Sequence, residues 1–419
     1  MARPLTNWAG NVRYSAHTVE EPTSITRLQD LVATSEYAHA LGSRHSFNHI
    51  ADTPGTLISL DRLPRELEID RARMVARVSA NWPLGDLGEH LHQRGLALPS
   101  LPSLPHISVA GACTTATHGS GNSHGSLANT VRALALVTAD GTHLELAAGD
   151  EDFNGAVVSL GSLGVITHLD LAVQPAYDIE QYVYDNLPWS ELVTSTDEIF
   201  ASAYSVSVFT DWSDHAQIWV KRHADADFPD LAWTGATKAD SPRHPVREMS
   251  PSNCTEQLGH PGPWHERLPH FRAGTTPATG NELQTEYFVP AELAAKALTQ
   301  LKELRPLLAP VLQIAEIRTV AADTAWLSPT HATSSIAVHF TWLPQEEAVR
   351  AVLPRLEAAL TPFTARPHWA KIFLTSPDKL RSVYDHWDDF SRLRKALDPG
   401  GKFDNRFTAA LFTAPDHDR

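Results

Sequence analysis

The sequence predicts an α+β protein of two domains. Length is the first reason, because 419 residues can bury more than one hydrophobic core. The second is a change of character near Pro175. Before it, short helical and strand periodicities alternate, with turn residues between them. After it come a Trp-, Pro- and His-rich excursion and then strand patterns separated by amphipathic helices.

Ile25, Leu28, Leu31 and Val32 recur at helical spacing behind the candidate caps Thr23 and Ser24, and the pattern stops before a strand over 37–41. Strands are expected at 56–60 and 74–78, after which Pro83 starts a helix carrying Leu84, Leu87 and Leu91, closed by Gly95. Strands at 131–138 and 142–146 flank Asp140-Gly141, a hairpin signal, and 151–160 reads as a helix leading into a strand at 165–173. In the middle, Trp189, Trp212, Trp219, Trp233 and Trp264 accompany an irregular run over 241–277, whose aromatic content argues against disorder. Strands resume at 283–289, 314–320 and 335–342, helices at 291–308 and 345–360, and the chain returns through 365–374.

Acidic residues outnumber basic ones by 49 to 34, a net charge of −15 that repels nucleic-acid phosphates and anionic lipid alike. Neither partner is expected. Residues 1–16 contain no apolar core of signal-peptide length, and no later segment approaches the roughly 18 apolar residues that span a bilayer, so a cytoplasmic protein is expected. Cys113 and Cys254 are too few for a disulfide framework or an iron–sulfur cluster. Two reduced thiols are expected, with a single bridge as the alternative.

Two stretches carry small residues where backbone must pass close to a ligand. In Leu41-Gly42-Ser43-Arg44-His45-Ser46-Phe47-Asn48, Gly42 and Ser43 form a turn whose N–H groups can face a phosphate, with the His45 imidazole just behind. The run from Ser103 through Gly111 and Thr117 to Gly121 interleaves Ile, Val and Ala with small residues, too apolar for a flexible linker. In the strand at 314–320, Glu316 and Arg318 share a face, and in the next one so do His339 and Thr341. Such charges either neutralise each other structurally or meet a polar ligand. Neighbouring strands with the same pattern favour the polar ligand. Lys371 adds another cation. Gly121-Asn122-Ser123-His124-Gly125 fits a nucleophile elbow, but no apolar strand precedes it, and His90 and His92 do not share a helix face, so no hydrolase site and no metal site are expected.

The two Gly-rich stretches together resemble the flavin-binding half of the vanillyl-alcohol oxidase family, above all its polyol-oxidising members. The likeness extends to Asn7-Trp8-Ala9-Gly10-Asn11, Asn253-Cys254-Thr255-Glu256-Gln257, the run from Pro261 to Phe271, and the run from Glu316 to Asp323. It implies a PCMH-type FAD-binding domain over 1–175, a substrate cap with an antiparallel sheet over 176–365, and a segment over 366–419 that returns to the first domain. It also implies FAD bonded covalently to His45, and flavin contacts from Leu41, Gly42, Ser43, Arg44, Ser46, Phe47, Ser103, Ser108, Gly111, Thr115, Ala116, Thr117, His118, Ile166, His368 and Asn405. Ser103, Glu316, Arg318, His339, Thr341 and Lys371 fall where relatives hold the polyol. Arg318 and Lys371 are expected to stabilise a developing alkoxide and His339 to take its proton, although a Lys of depressed pKa could serve instead. Dioxygen is the implied electron acceptor and a monomer the implied state. The rival readings are an aldonolactone oxidase or dehydrogenase and a non-catalytic flavin- or sugar-binding protein. Arg44 and Pro102 depart from the pattern, standing where relatives carry smaller residues.

Overall fold

The computed structural model describes residues 5–228, 230–275 and 282–412. Residues 1–4 of the N-terminal stretch, 276–277 of the irregular run and 413–419 of the returning segment lie outside these. The helix Ile25–Thr34 starts where Ser24 accepts from the Arg27 N–H, and it buries Leu28 and Val32. Its chain then enters a three-stranded parallel sheet, in which Thr56–Ser59 lies between Thr18–Glu20 and Ala38–Leu41. A second, antiparallel sheet of five strands has the order Leu67–Asp70, Val75–Ser79, Val165–Ala172, Val131–Val137, His143–Ala147. The hairpin at Asp140-Gly141 forms as its dipeptide predicts, with Gly141 at φ +85° and a Cβ there only 2.8 Å from the Gln29 carbonyl. Only glycine fits that turn.

The largest sheet is antiparallel and holds nine strands, its centre running Asp178–Pro188, His215–His223, Ser205–Thr210, Leu312–Val320, Ser335–Trp342, Leu283–Pro290. Alternation sorts its two faces. Ile317, Val338, Phe340 and Trp342 pack with Leu298, Leu301, Val349, Leu353 and Leu356 of the helices Ala294–Glu303 and Glu346–Leu360. Glu286, Glu316, Arg318, His339 and Thr341 turn the other way, into a cavity.

Two large hydrophobic cores dominate the interior, with three small clusters beside them. One core joins the residues around Leu28, Val78, Leu134 and Leu169 to Trp369, Leu380, Trp387, Phe390 and Phe403 near the C-terminus; the other lies between the large sheet and its helices. Phe403 belongs to a loop whose Lys402 carbonyl accepts from the Ala38 N–H at 3.0 Å, so the end of the chain is stitched to the first sheet. Both cysteines are buried and free. Among the described residues no helix is long and apolar enough to cross a membrane.

Several element boundaries differ from expectation for identifiable reasons. The helix expected over 151–160 is limited to Phe153–Val157, because Val158 leaves helical geometry at ψ 71° and Leu160 and Gly161 then turn left-handed at φ 56° and 72°. The one expected over 291–308 splits into a 3₁₀ turn and the helices Ala294–Glu303 and Arg305–Leu308, with Pro306 lacking the N–H that would join them. The return over 365–374 is a strand only at Arg366–Pro367. The irregular run contains short elements, among them Gly262–Pro263 paired onto the large sheet and the helical turn Trp264–Arg267.

Candidate active site

A cavity of about 480 Å³ runs from the His45 turn to the polar face of the large sheet. At its first end the strand Ala38–Leu41 delivers Gly42 and Ser43, and the turn is gripped from outside. Asn7 Nδ2 donates to the Ser46 carbonyl at 2.9 Å, Asn11 Nδ2 to that of Phe47 at 3.0 Å, and the Trp8 N–H to that of Arg44 at 2.8 Å. This grip stabilises Arg44 at φ 62°, a left-handed conformation costly for any side chain with a Cβ. The Trp8 ring stacks on His45 with centroids 5.2 Å apart.

His45 Nδ1 faces the Ser43 carbonyl at 2.9 Å and must donate to it, so Nε2 accepts from His106 Nε2 at 2.6 Å. Burial, and next the neighbouring His106, lower the His45 pKa to about 4. The imidazole is therefore neutral at physiological pH, the form that carries a nucleophilic lone pair.

A Cβ on Gly42 would stand 2.8 Å from Ser108 Oγ, and one on Gly111 would stand 2.9 Å from the same atom. Bare backbone from two distant stretches thus converges on one hydroxyl, with Ser43, Ser46, Thr115 and Thr117 along the same wall and Ile166 nearby. This donor-rich, Cβ-free cradle fits a dinucleotide diphosphate, and it holds the residues that would bind the pyrophosphate and ribityl groups of FAD.

At the other end, the strand Ser335–Trp342 lies between Leu283–Pro290 and Leu312–Val320, with His339 opposite both Glu286 and Glu316. Glu286, 1% exposed, is the hub. Its Oε1 accepts from Arg318 Nη2 at 2.5 Å, its Oε2 from Lys371 Nζ at 2.7 Å, and His118 Nε2 stands 3.3 Å from Oε1. Burial opposes its ionisation, but Lys371, Arg318 and His118 outweigh that and hold the carboxyl well below its usual range. Lys371 Nζ also reaches His339 Nδ1 at 2.6 Å, and His339 Nε2 stands 3.2 Å from Thr341 Oγ1. Burial first, then Lys371, lower the His339 pKa to about 4, so this ring too is neutral. Burial likewise pulls Lys371 down while Glu286 works against it. Glu316 and Arg318 are only loosely paired, at 3.6 Å, since each has a closer partner, His270 for the acid and Glu286 for the base.

All the residues singled out from the sequence line this cavity except two. Ala116, at φ 54°, packs in the first core, and Asn405 donates from Nδ2 to the carbonyls of Ile50 and Asp52, bracing the turn from behind. Glu286, Gln284, His270 and His106 also line it and were not assigned roles. Gln284-x-Glu286 shows the same spacing of two as Glu316-x-Arg318, a signal that was present, whereas His270 sits in a stretch with no period to read.

Residues 16–147 match the family described as FAD binding domain, and residues 276–411 the family described as D-arabinono-1,4-lactone oxidase. An alditol oxidase from a Streptomyces species is 47% identical over 416 residues, 98% of this chain and 99% of that one. An L-gulono-1,4-lactone dehydrogenase from Mycobacterium tuberculosis is 30% identical, covering 96% and 97%. A cholesterol oxidase from Brevibacterium sterolicum shares the fold, with a TM-score of 0.79 at 15% identity over 98% of this chain and 96% of that one. Near-complete coverage by the first relative and the cradle at Gly42 and Gly111 lead to one conclusion: the chain belongs to the alditol oxidases, FAD-dependent oxidoreductases of the vanillyl-alcohol oxidase family.

Proposed function

We propose that the protein oxidises the terminal primary alcohol of acyclic polyols such as xylitol and sorbitol, with FAD bonded covalently to His45. The observation that carries this reading is the polar face built from Glu286, Glu316, Arg318, His339, Thr341 and Lys371, whose two carboxylates and two cations offset each other. Such a face offers a neutral, hydroxyl-rich ligand alternating donors and acceptors with no net charge to satisfy. The reaction balances as an alcohol plus dioxygen giving an aldehyde plus hydrogen peroxide. Bound FAD supplies the two-electron acceptor for the carbon-bound hydrogen and the route from there to dioxygen.

The chain's own groups do the rest. Arg318 and Lys371, held on the two oxygens of Glu286, stabilise the alkoxide as it forms. His339, kept neutral with its Nε2 proton donated to Thr341, takes the hydroxyl proton at Nδ1, which Lys371 must release as it turns to the forming alkoxide. Ser103, in the cavity wall, adds a hydroxyl. The neutral His45 ring, stacked on Trp8, suits a covalent attachment point. We assign residues 1–175 and 366–419 to an FAD-binding unit and 176–365 to a cap; the core that joins Leu28 to Phe403 supports the return of the C-terminal segment, and it also takes in Trp264, Leu268 and Leu327 of the cap. The protein works as a cytoplasmic monomer in this reading.

Peroxide release across a panel of polyols and aldonolactones tests the substrate, and acid precipitation tests the linkage. Yellow colour should stay with the precipitated polypeptide and be absent from precipitated His45→Ala. Arg318→Ala and Lys371→Ala should each slow flavin bleaching by xylitol about 10- to 100-fold, since a charge-assisted hydrogen bond is worth roughly 1.5 to 3 kcal/mol. Faster turnover of an aldonolactone than of any polyol would replace the substrate, leaving the site in place.

A further inference from the structure

Behind the polar face lies a second layer, whose outer member His270 borders the cavity and whose inner member Lys221 neither substrate nor cofactor is expected to touch. Lys221, 1% exposed on the strand His215–His223, is absent from the cavity wall. Its Nζ meets three acceptors: the carbonyls of Leu268 and, at 3.1 Å, Pro269, and the Nδ1 of His270 at 3.2 Å. An ammonium has three N–H donors and no lone pair, so its requirements match this nest. Burial draws the Lys221 pKa down to about 7, while Glu316 acts in the opposite direction.

His270, 5% exposed, is boxed by edge contacts with Phe209 and Trp219, each 5.3 Å between centroids, and Thr255 clamps its backbone through an N–H to the His270 carbonyl at 2.9 Å. Because Lys221 claims Nδ1, the ring proton sits on Nε2, which donates to Glu316 Oε1 at 2.8 Å. Arg318 Nε approaches the same oxygen at 3.6 Å. Both contacts therefore fall on Oε1, and among the described residues no hydrogen bond reaches Oε2, which is placed to accept from a ligand hydroxyl.

We propose that Lys221 and His270 are positioning residues: through a fixed tautomer they lock Glu316 in one orientation, and so set the recognition of a polyol hydroxyl beyond the reacting carbon. This rests on the polyol reading above. It makes a buried His–Lys pair part of substrate specificity although Lys221 touches no substrate.

The test uses FAD-loaded enzyme carrying His270→Leu, His270→Gln or Lys221→Met, with KM for xylitol and the limiting rate of flavin bleaching measured separately. Gln can both donate to Glu316 and accept from Lys221, as the imidazole does. His270→Leu should raise KM at least tenfold with the limiting rate within about threefold of wild type, His270→Gln should recover most of that loss, and Lys221→Met should raise KM several-fold. An unchanged KM in His270→Leu, or no recovery in His270→Gln, overturns the proposal. If His270→Leu fails to load FAD, Lys221→Met decides alone: a raised KM supports the relay and an unchanged KM overturns it. A wild type that ignores xylitol but bleaches with lactones overturns the polyol reading instead, and is recognised before any variant is made.

Discussion

Glu286 is the residue on which the site's charges converge, since removing one partner of a buried ion pair leaves the others uncompensated at a cost of about 3 to 5 kcal/mol. Glu286→Gln keeps the shape and removes the charge. The carboxylate raises the Lys371 pKa, so its loss leaves burial and Arg318 to lower it further. The alkaline limb of the pH profile for flavin reduction should therefore move to lower pH, and reduction near neutrality should slow by about tenfold or more. Rapid mixing across a pH series measures both, and an unshifted limb would mean that the Lys371 charge does not govern the rate. Polar residues two apart in apolar strands were legible at Glu316, Arg318, His339 and Thr341. Gln284-x-Glu286 shows the same spacing, but the role of Glu286 as hub was not legible because it depends on two partners, Arg318 and Lys371, at 32 and 85 residues' distance along the chain.

At the scale of elements, the two ends of the cavity are joined by one side chain. Asn48 Nδ2 donates to the carbonyls of both Trp369 and Lys371 at 2.8 Å, and the Phe47 N–H donates to that of Ala370 at 2.7 Å. The turn bearing His45 and the loop bearing Lys371 are therefore one mechanical unit. Asn48→Ala should lower thermal stability by about 1 to 3 kcal/mol through two orphaned carbonyls and slow flavin reduction, because Lys371 loses its fixed position. Covalent flavin content should stay near wild type. A variant with normal reduction and a lowered melting point would reduce the clamp to a structural one. Elements such as the Gly141 hairpin and the strand Ser335–Trp342 could be read locally, from turn chemistry and alternation. The strand Asp178–Pro188, by contrast, is recognisable only once His215–His223 pairs with it, and the breaks at Leu160 and Pro306 come from single backbone constraints inside good helical patterns.

The whole molecule carries a pH sensitivity that follows from burying histidines more deeply than the nearby carboxylates offset. His39, His270 and His339 each have a pKa lowered to about 4, burial being the largest cause in every case. The unfolded chain binds these protons below its ordinary value of about 6.5, whereas the folded chain does not until about pH 4. Stability is thus full above about pH 6.5 and falls as the pH drops towards 4, by up to roughly 3 kcal/mol for each such ring. Glu286 and Glu316 do not reverse this, because carboxyls of lowered pKa keep their contribution down to about pH 5 and lose it as the pH falls further, in the same direction. Total stabilities of about 5 to 15 kcal/mol leave little room for three such losses. His39 is the informative site, since it lies at the opposite end of the cavity from the polar face, on the strand leading to Gly42, and its Nδ1 faces the Phe403 carbonyl at 3.3 Å, tying the C-terminal segment to the first sheet. Calorimetry of the FAD-loaded enzyme should show the melting temperature falling steadily from pH 6.5 to 4.5. His39→Gln, which keeps a donor for Phe403 but cannot protonate, should flatten that slope at a modest cost at pH 7.5. A melting temperature independent of pH over this range would mean that the buried rings are already compensated.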